Sequence, residues 1–459
     1  MDALHGKRLL ILGLARQGKA LARFAVAAGA RVVVSDLRSA EQLSAAMAEL
    51  AELPVSYVLG EHPLSLLDDC DLIALSGSVA VDLPLVQAAR ARQIPLTNDG
   101  LEFMRRVPAT VAGITGSAGK TTTTALVGAI GQAAGRTTWV GGNIGNPLIT
   151  DLDQMQAGDL VAMELSSFQL ELWDVSPPVA AVLNVTPNHL DRHKTMAAYT
   201  AAKANILRYQ TGTDTAVLSA DDPGAAALAS LVRGRCRLFS QRAPVQDGAF
   251  GRQGEIWLRD GQRETAVMPL AEIKLRGAHN VLNVLAAVLL ADAVGLPPAA
   301  MRQAIATFTG VEHRLELVDQ IYGVTYVNDS IATAPERALA ALASFDEPLL
   351  LLAGGRDKDL YWDDWVQCVG TRVKAVILFG ELAELLANKL QAAGRPQPVV
   401  QVDSLVEAVK TAQALAEPGD IVLLSPGGTS YDTYLDFAER GDHFRGLVAE
   451  LRLQKSREI

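Results

Sequence analysis

Cysteine is scarce in this chain of 459 residues: Cys70, Cys236 and Cys368 are the full complement of 3. Odd in number, far apart and outside any metal-ligand spacing, they exclude a disulfide framework. Three thiols in a reducing compartment are the expectation. An excess of positive charge is also missing. The net charge of -10 and a pI of about 5.3 argue against a non-specific binder of nucleic acid or membrane surface. A few local Arg and Lys residues could still hold an anionic small molecule. Long apolar runs are absent too. The longest, Val284 to Ala291, is stopped by Asp292, whereas a membrane-spanning helix needs about 20 apolar residues. The opening residues reach a strand almost at once, so no secretory leader is expected. There is no low-complexity tract and no short-period repeat. A cytoplasmic protein without nucleic-acid partners or membrane insertion is the expectation.

What is present is an ordinary globular balance, 49% hydrophobic and 20% charged, in a chain long enough for about three domains. Residues 8–36 read as strand, glycine turn, helix, strand and terminal acid, the outline of a Rossmann-type unit. The glycines of Gly13-Leu14-Ala15-Arg16-Gln17-Gly18 do not follow the dinucleotide fingerprint, so another nucleotide is the better guess. Further strands fit Leu72 to Leu75 and Ile94 to Thr97. A second unit opens at Thr110 to Thr115, with strands at Leu160 to Met163 and Val179 to Leu183. Short alternating runs follow from Gly248 to Val267, a small antiparallel patch on a mainly parallel sheet. A third unit begins near Gly310. It has a hairpin over Leu315 to Val327 and strands at Leu349 to Leu352, Ala375 to Leu378, Val399 to Val402 and Ile421 to Leu424. The expected architecture is α/β in three domains, with limits 1–98, 99–309 and 310–459: a Rossmann-like domain, a P-loop ATPase-like domain and a second Rossmann-like domain.

The most informative loop is Thr115-Gly116-Ser117-Ala118-Gly119-Lys120-Thr121-Thr122, at a strand-to-helix junction. Small residues let the backbone curl its N–H groups inward, and the helix N-terminus adds positive potential. Lys120 can reach β- and γ-phosphates, and Thr121 can offer a hydroxyl to Mg²⁺. A strict P-loop would have glycine at 114, where this chain has Ile114 and places Gly113 one residue early. The alternative is a glycine-rich turn with a solvent-facing lysine. Glu164, in Glu164-Leu165-Ser166-Ser167-Phe168-Gln169, follows an apolar strand, where a metal-holding acid belongs. His189, Asp191 and His193 cluster after another strand. With no partner cluster elsewhere, a single Mg²⁺-associated histidine is favoured over zinc. Lys203 follows on a helix, where a lysine is by default a surface charge. Asn280 and Asn283 share a helix face and could read an adenine edge or cap the helix. Arg314 with Asp329 could grip a nucleotide or form a surface ion pair.

In this order, TGSAGKTT, ELSSFQLE with Glu164, NVTPNHLDRH with His189, AAKAN with Lys203, HNVLN, HR and NDS resemble the motifs of the Mur ligases and their folylpolyglutamate synthetase relatives, over nearly the whole chain. The resemblance is greatest to the glutamate-adding members. It rests on Gly141-Gly142-Asn143-Ile144-Gly145, on ELSSFQLE, and on Leu424-Ser425-Pro426 through Ser430, Asp432 and Phe437 to Arg440-Gly441.

The resemblance implies ATP-dependent addition of glutamate, with D-glutamate expected, to UDP-N-acetylmuramoyl-L-alanine through an acyl-phosphate. ATP and two Mg²⁺ sites come with it. Lys120, Glu164, His189 and Lys203 would be the catalytic residues. Thr121 and Glu164 would hold one metal; His189 and a carbamylated Lys203 would serve the second. Residues 115 to 122, Asn280, Asn283, Arg314 and Asp329 would bind ATP. Leu14, Ala15, Asp36, Leu37, Arg38, Asn143 and Ser166 would bind the UDP substrate, and Thr333, Lys358, Ser430 and Phe437 the glutamate. Two positions depart from the family pattern: Ile331 stands where members often have lysine, and Gly77-Ser78-Val79-Ala80 replaces a usual Ser-Pro-Gly. A monomer is expected. The alternatives are L-glutamate as the acceptor, a folylpolyglutamate-type ligase, and a nucleotide-binding regulator without catalysis.

Overall fold

The computed structural model describes residues 1–77, 79–357, 360–394 and 397–458. The chain has three α/β domains, each built on its own sheet. Two compact units emerge. Residues 1–274 with 278–308 form one, holding the first two sheets; residues 275–277 with 309–459 form the other.

The first sheet contains β1 (Arg8–Leu12), β2 (Arg31–Asp36), β3 (Val55–Leu59), β4 (Leu72–Leu75) and β5 (Leu96–Thr97) in the order β3-β2-β1-β4-β5, all parallel. Strand order reverses between β1 and β4, the place where such sheets open a crevice at their carboxyl ends. Gly13 and Ser76 sit there, joined by a hydrogen bond from Ser76 Oγ to the Gly13 carbonyl at 2.8 Å. Helix Arg16–Ala27 begins beside them. A Cβ at Gly18 would collide with the Gly13 carbonyl oxygen, so the helix can approach the turn only with glycine at that position.

The second sheet has nine strands: β6 (Thr110–Thr115), β7 (Thr138–Gly142), β8 (Leu160–Glu164), β9 (Val179–Val182), β10 (Thr215–Ser219), β11 (Arg235–Ser240), β12 (Gly248–Arg252), β13 (Glu255–Asp260) and β14 (Arg263–Pro269). Their order is β14-β13-β12-β11-β10-β9-β6-β8-β7. β13 and β14 add the antiparallel patch to an otherwise parallel sheet. Helix Ala278–Ala293 is apolar on nearly every face from Val284 to Ala291 and is buried there. Within this unit, Arg192 donates to the carbonyls of Gly77 and Val79, tying the central domain to the turn after β4.

The third sheet comprises β15 (Glu316–Ile321), β16 (Val324–Asn328), β17 (Leu349–Gly354), β18 (Val373–Phe379), β19 (Val399–Gln401) and β20 (Ile421–Gly427), in the order β15-β16-β20-β17-β18-β19. Among the described residues, only the β15–β16 pair of this sheet's strands is antiparallel. Apolar layers lie on both faces: Trp362, Trp365 and Leu386 on one, Phe444, Val448 and Val409 on the other. β17 accordingly reads Leu349-Leu350-Leu351-Leu352 without alternation, as a strand covered on both sides does.

Several strands are not apparent in the sequence. β3 is a half-buried edge strand, and β7 is a sheet edge that ends in two glycines. β5 is shorter than the Ile94 to Thr97 run suggests, because Pro95 cannot donate to the sheet ladder. Among the described residues, no helix is long and apolar enough to cross a membrane.

Candidate functional site

β6 lies between β8 and β9, with Ile114 opposite Glu164 and Thr115 opposite Val182. The three loops that leave the carboxyl ends of these strands therefore meet. They are the glycine-rich loop at 116–119, the segment after Glu164 and the segment after Val182.

The glycine-rich loop ends at Gly119, which caps helix Lys120–Ala133 with φ +83°. A Cβ there would be strained by that conformation and would also strike Asn283 Oδ1. Asn283 in turn donates to Asn280 Oδ1 at 2.9 Å. The pair foreseen on one helix face is thus formed, and it lies against the loop. Lys120 Nζ turns back to the Gly116 carbonyl at 3.0 Å. Thr122 is buried in the same first helical turn.

Glu164 is 2% exposed. Its Oε2 accepts from Thr121 Oγ1 at 2.8 Å and its Oε1 from Asn143 Nδ2 at 2.9 Å. Thr121, Asn143 and Glu164 are thus one cluster, bringing the residue expected to contact substrate onto the acid expected to hold metal. Its oxygen donors, a carboxylate and a hydroxyl beside a phosphate-type loop, suit a hard cation such as Mg²⁺. Ser166 caps the following short helix in a reciprocal capping box with Gln169.

Lys203 is not the surface charge that its sequence context suggests by default. It is 1% exposed, donates to the Gly116 carbonyl at 2.9 Å, and lies 4.7 Å from the centre of the Tyr199 ring. Burial, helped by the nearby Lys120 charge, pulls its amine down to about 6, against the opposite pull of Glu164. His189 takes a left-handed φ of +54° and packs edge-on to Phe168, their ring centres 5.0 Å apart. His193 stacks on the same Phe168 ring and pairs with Ser167 Oγ at 2.9 Å. It therefore supports the segment beside Glu164.

In the first domain, Asp36 organises the remaining predicted residues. It accepts from Leu14 N at 2.8 Å and from Arg38 N, Nε and a terminal guanidinium nitrogen at 2.7–3.0 Å. Burial opposes ionisation, but these bonds prevail and hold the carboxyl at about 2. Ala15 and Leu37 are exposed beside it.

In the other unit, Asp329 follows β16 and is 4% exposed. It accepts from Ser425 Oγ at 2.9 Å and Leu315 N at 3.2 Å. Burial raises it to about 7, while Arg314 and Arg337 pull it down. The surface ion pair read as one alternative for Arg314 and Asp329 does not fit an acid this buried. Arg314 is flanked by His313 at φ +62° and Leu315 at φ +45°. Ser330 Oγ donates to the Phe437 carbonyl at 2.7 Å. Arg440, fully buried, donates to Ser330 Oγ and to the carbonyls of Ser330 and Gly428 at 3.0–3.2 Å. It therefore binds together the segments that carry Thr333, Ser430 and Phe437. Lys358 and Ser78 lie outside the described residues.

Two participants were not singled out in the sequence, one just before the AAKAN motif and one opening NVTPNHLDRH. Tyr199 stands one turn before Lys203, the i, i+4 spacing that places a ring under an ammonium. Its hydroxyl lies 3.0 Å from Ser117 Oγ. Asn184, at the end of the β9 segment, bonds the backbone of Ala118.

Comparison with known proteins follows the same order along the chain. Residues 7–98 match the Mur ligase MurD-like N-terminal domain. Residues 114–291 match the Mur ligase middle domain, and residues 313–428 the Mur ligase glutamate ligase domain. A UDP-N-acetylmuramoylalanine--D-glutamate ligase of Symbiobacterium thermophilum is 45% identical over 447 residues, 97% of this chain and 98% of its own length. One of the same name from Pelotomaculum thermopropionicum is 40% identical over 97% of this chain and 98% of its own. Among solved structures, the UDP-N-acetylmuramate-alanine ligase of Thermotoga maritima shares the fold. Its TM-score is 0.56 at 20% identity, over 98% of this chain and 100% of that one. With all three domain models matched in sequence order and identity of this level along almost its full length, the chain belongs to the Mur ligase family.

Proposed function

We propose that this chain is an ATP-dependent ligase joining D-glutamate to UDP-N-acetylmuramoyl-L-alanine, in cytoplasmic synthesis of peptidoglycan precursors. The observation that carries the reading is the meeting of Thr121, Glu164 and Asn143 beside the loop that holds Lys120. Relatives of that name at 40–45% identity support the choice of substrates.

The chemistry asks for positioning and charge neutralisation more than for a covalent nucleophile. The alanyl carboxylate attacks the γ-phosphorus of ATP, ADP leaves, and an acyl-phosphate forms. The glutamate amine then attacks the acyl carbon and expels phosphate, leaving an amide. Residues 115 to 122 surround the phosphates, and Lys120 turns from Gly116 to the migrating phosphoryl group. Two Mg²⁺ ions, one at Thr121 and Glu164 and one at His189 and carbamylated Lys203, would neutralise charge as it develops. Burial keeps the Lys203 amine largely unprotonated at neutral pH, the form that adds carbon dioxide. Asn280, Asn283, Arg314 and Asp329 place ATP. Leu14, Ala15, Asp36, Leu37 and Arg38 hold the uridine end, while Asn143 and Ser166 hold the muramoyl end. Thr333, Lys358, Ser430 and Phe437 receive glutamate. These roles divide the chain at 1–98, 99–309 and 310–459, and the enzyme acts as a monomer.

The test is phosphate release with UDP-N-acetylmuramoyl-L-alanine, Mg²⁺-ATP and each glutamate enantiomer. Release with D-glutamate alone is expected. Release only with L-glutamate would correct the acceptor, and no release with either would refute the reading.

A further inference from the structure

The glycine-rich loop is joined to the segment after β9 by two side chains that each hold the other segment's backbone. Asn184 Oδ1 accepts from Ala118 N at 2.8 Å, and Asn184 Nδ2 donates to the Ala118 carbonyl at 3.1 Å. Ser117 Oγ accepts from Thr186 N at 2.9 Å and lies 2.9 Å from the Thr186 carbonyl. A backbone bond from Ser117 N to the Asn184 carbonyl, 3.0 Å, lies between them.

A loop of Gly116, Ser117, Ala118 and Gly119 has little conformational preference of its own, and fixing it costs backbone entropy. A phosphate grip needs the opposite: amides already aimed before the ligand arrives. The carboxamide of Asn184 fixes both polar atoms of residue 118, just before the left-handed Gly119 that starts the helix. Asparagine suits this position because its side chain offers an acceptor and a donor side by side, the complement of a peptide's N–H and C=O. Aspartate could accept from the amide but could not donate to the carbonyl.

We propose that Asn184 is a positioning residue of the phosphate loop, setting the backbone of residues 117 to 119 for the β- and γ-phosphates. The same bonds anchor the segment that leads to His189, three residues after Thr186, so loop and histidine share one frame. This inference rests on the loop being the ATP site.

The test measures equilibrium binding of ADP, AMP and UDP-N-acetylmuramoyl-L-alanine to the full chain, with thermal stability, for wild type, Asn184→Ala and Asn184→Asp. The alanine variant should bind ADP about tenfold more weakly. Its binding of AMP and of the UDP substrate, and its melting temperature, should stay near those of wild type. The aspartate variant, nearly isosteric, should lose more ADP affinity than the alanine variant, because it adds negative charge beside the phosphates. ADP binding unchanged in both variants would overturn the proposal, as would an equal loss for all three ligands. Failure of wild type to bind ADP would instead refute the ATP-site reading.

Discussion

Lys120 and Lys203 donate to one acceptor, the Gly116 carbonyl, from 3.0 and 2.9 Å. Two full positive charges that close, one of them buried, repel each other and desolvate poorly. The cheaper state has one of them neutral, and Lys203, at 1% exposure, is that one. A neutral, enclosed amine beside the phosphate loop is a poor electrostatic anchor but a good acceptor for carbon dioxide. Lys203→Ala should therefore lower kcat by about a hundredfold or more. Short carboxylates such as formate should restore part of the rate by occupying the vacated volume. Full activity in the untreated variant would refute the carbamate, and Lys203→Arg, which cannot be carbamylated, should stay inactive with or without carboxylate.

Glu164 allows a sharper separation of charge from shape. Gln at 164 could still accept from Asn143 through its oxygen, while the Thr121 hydroxyl turns to accept from the new amide. The melting temperature of Glu164→Gln should consequently remain close to wild type. Its kcat should fall about a hundredfold, and its Mg²⁺ requirement should rise, since an uncharged oxygen holds the cation less well. Activity measured across a Mg²⁺ titration checks this. A variant saturating at the same Mg²⁺ concentration as wild type would refute the proposed metal-holding role of Glu164.

Gly119 tests the loop's backbone. Alanine there meets two obstacles, the left-handed φ of +83° and the side chain of Asn283. The backbone penalty alone is about 1–2 kcal/mol, and relieving the collision displaces the loop or the Asn280–Asn283 pair. Gly119→Ala should raise KM for ATP more than KM for the UDP substrate. An equal rise in both would mean that the strain spreads through the central domain rather than staying in the proposed nucleotide site.

The parts of this site that could be read in the sequence are those contiguous in the chain. Residues 115 to 122 announce a phosphate loop because strand, small residues, lysine and helix follow one another. Glu164 was legible as an acid closing an apolar strand, and His189 as part of a polar cluster in the segment after one. The burial of Lys203 was not, because nothing local distinguishes AAKAN on a core-facing turn from the same letters on a surface. The Asn184–Ala118 pairing depends on β9 lying next to β6, a neighbour relation fixed only by the whole sheet. Two of the missed strands, β7 and β3, are edges whose half-covered sides give weak alternation, and β7 ends in two glycines; β10 and β11, also missed, lie inside the sheet. Core strands such as β17 and β20 were apparent because burial on both faces makes them continuously apolar.

Asp329 makes stability of the C-terminal unit depend on pH in a predictable direction. Burial holds its carboxyl at about 7 against the pull of Ser425, Leu315, Arg314 and Arg337, whereas its ordinary value is 3.8. The folded chain thus retains a proton that the unfolded chain has released between those two values. Stability from this group is present below the unfolded value and is lost as pH rises to about 7, with the full cost of burying the charge above it. Asn at 329 does not titrate and leaves that cost out, although it gives up one of the two accepted bonds. The melting temperature of Asp329→Asn relative to wild type should therefore shift in the variant's favour between about pH 5 and about pH 8. Comparing variant with wild type at each pH cancels the titration of every other group that the substitution leaves undisturbed. A difference that stays flat, or moves in wild type's favour as pH rises, would mean that Asp329 is ionised throughout, held by Arg314 and Arg337 more strongly than burial opposes them.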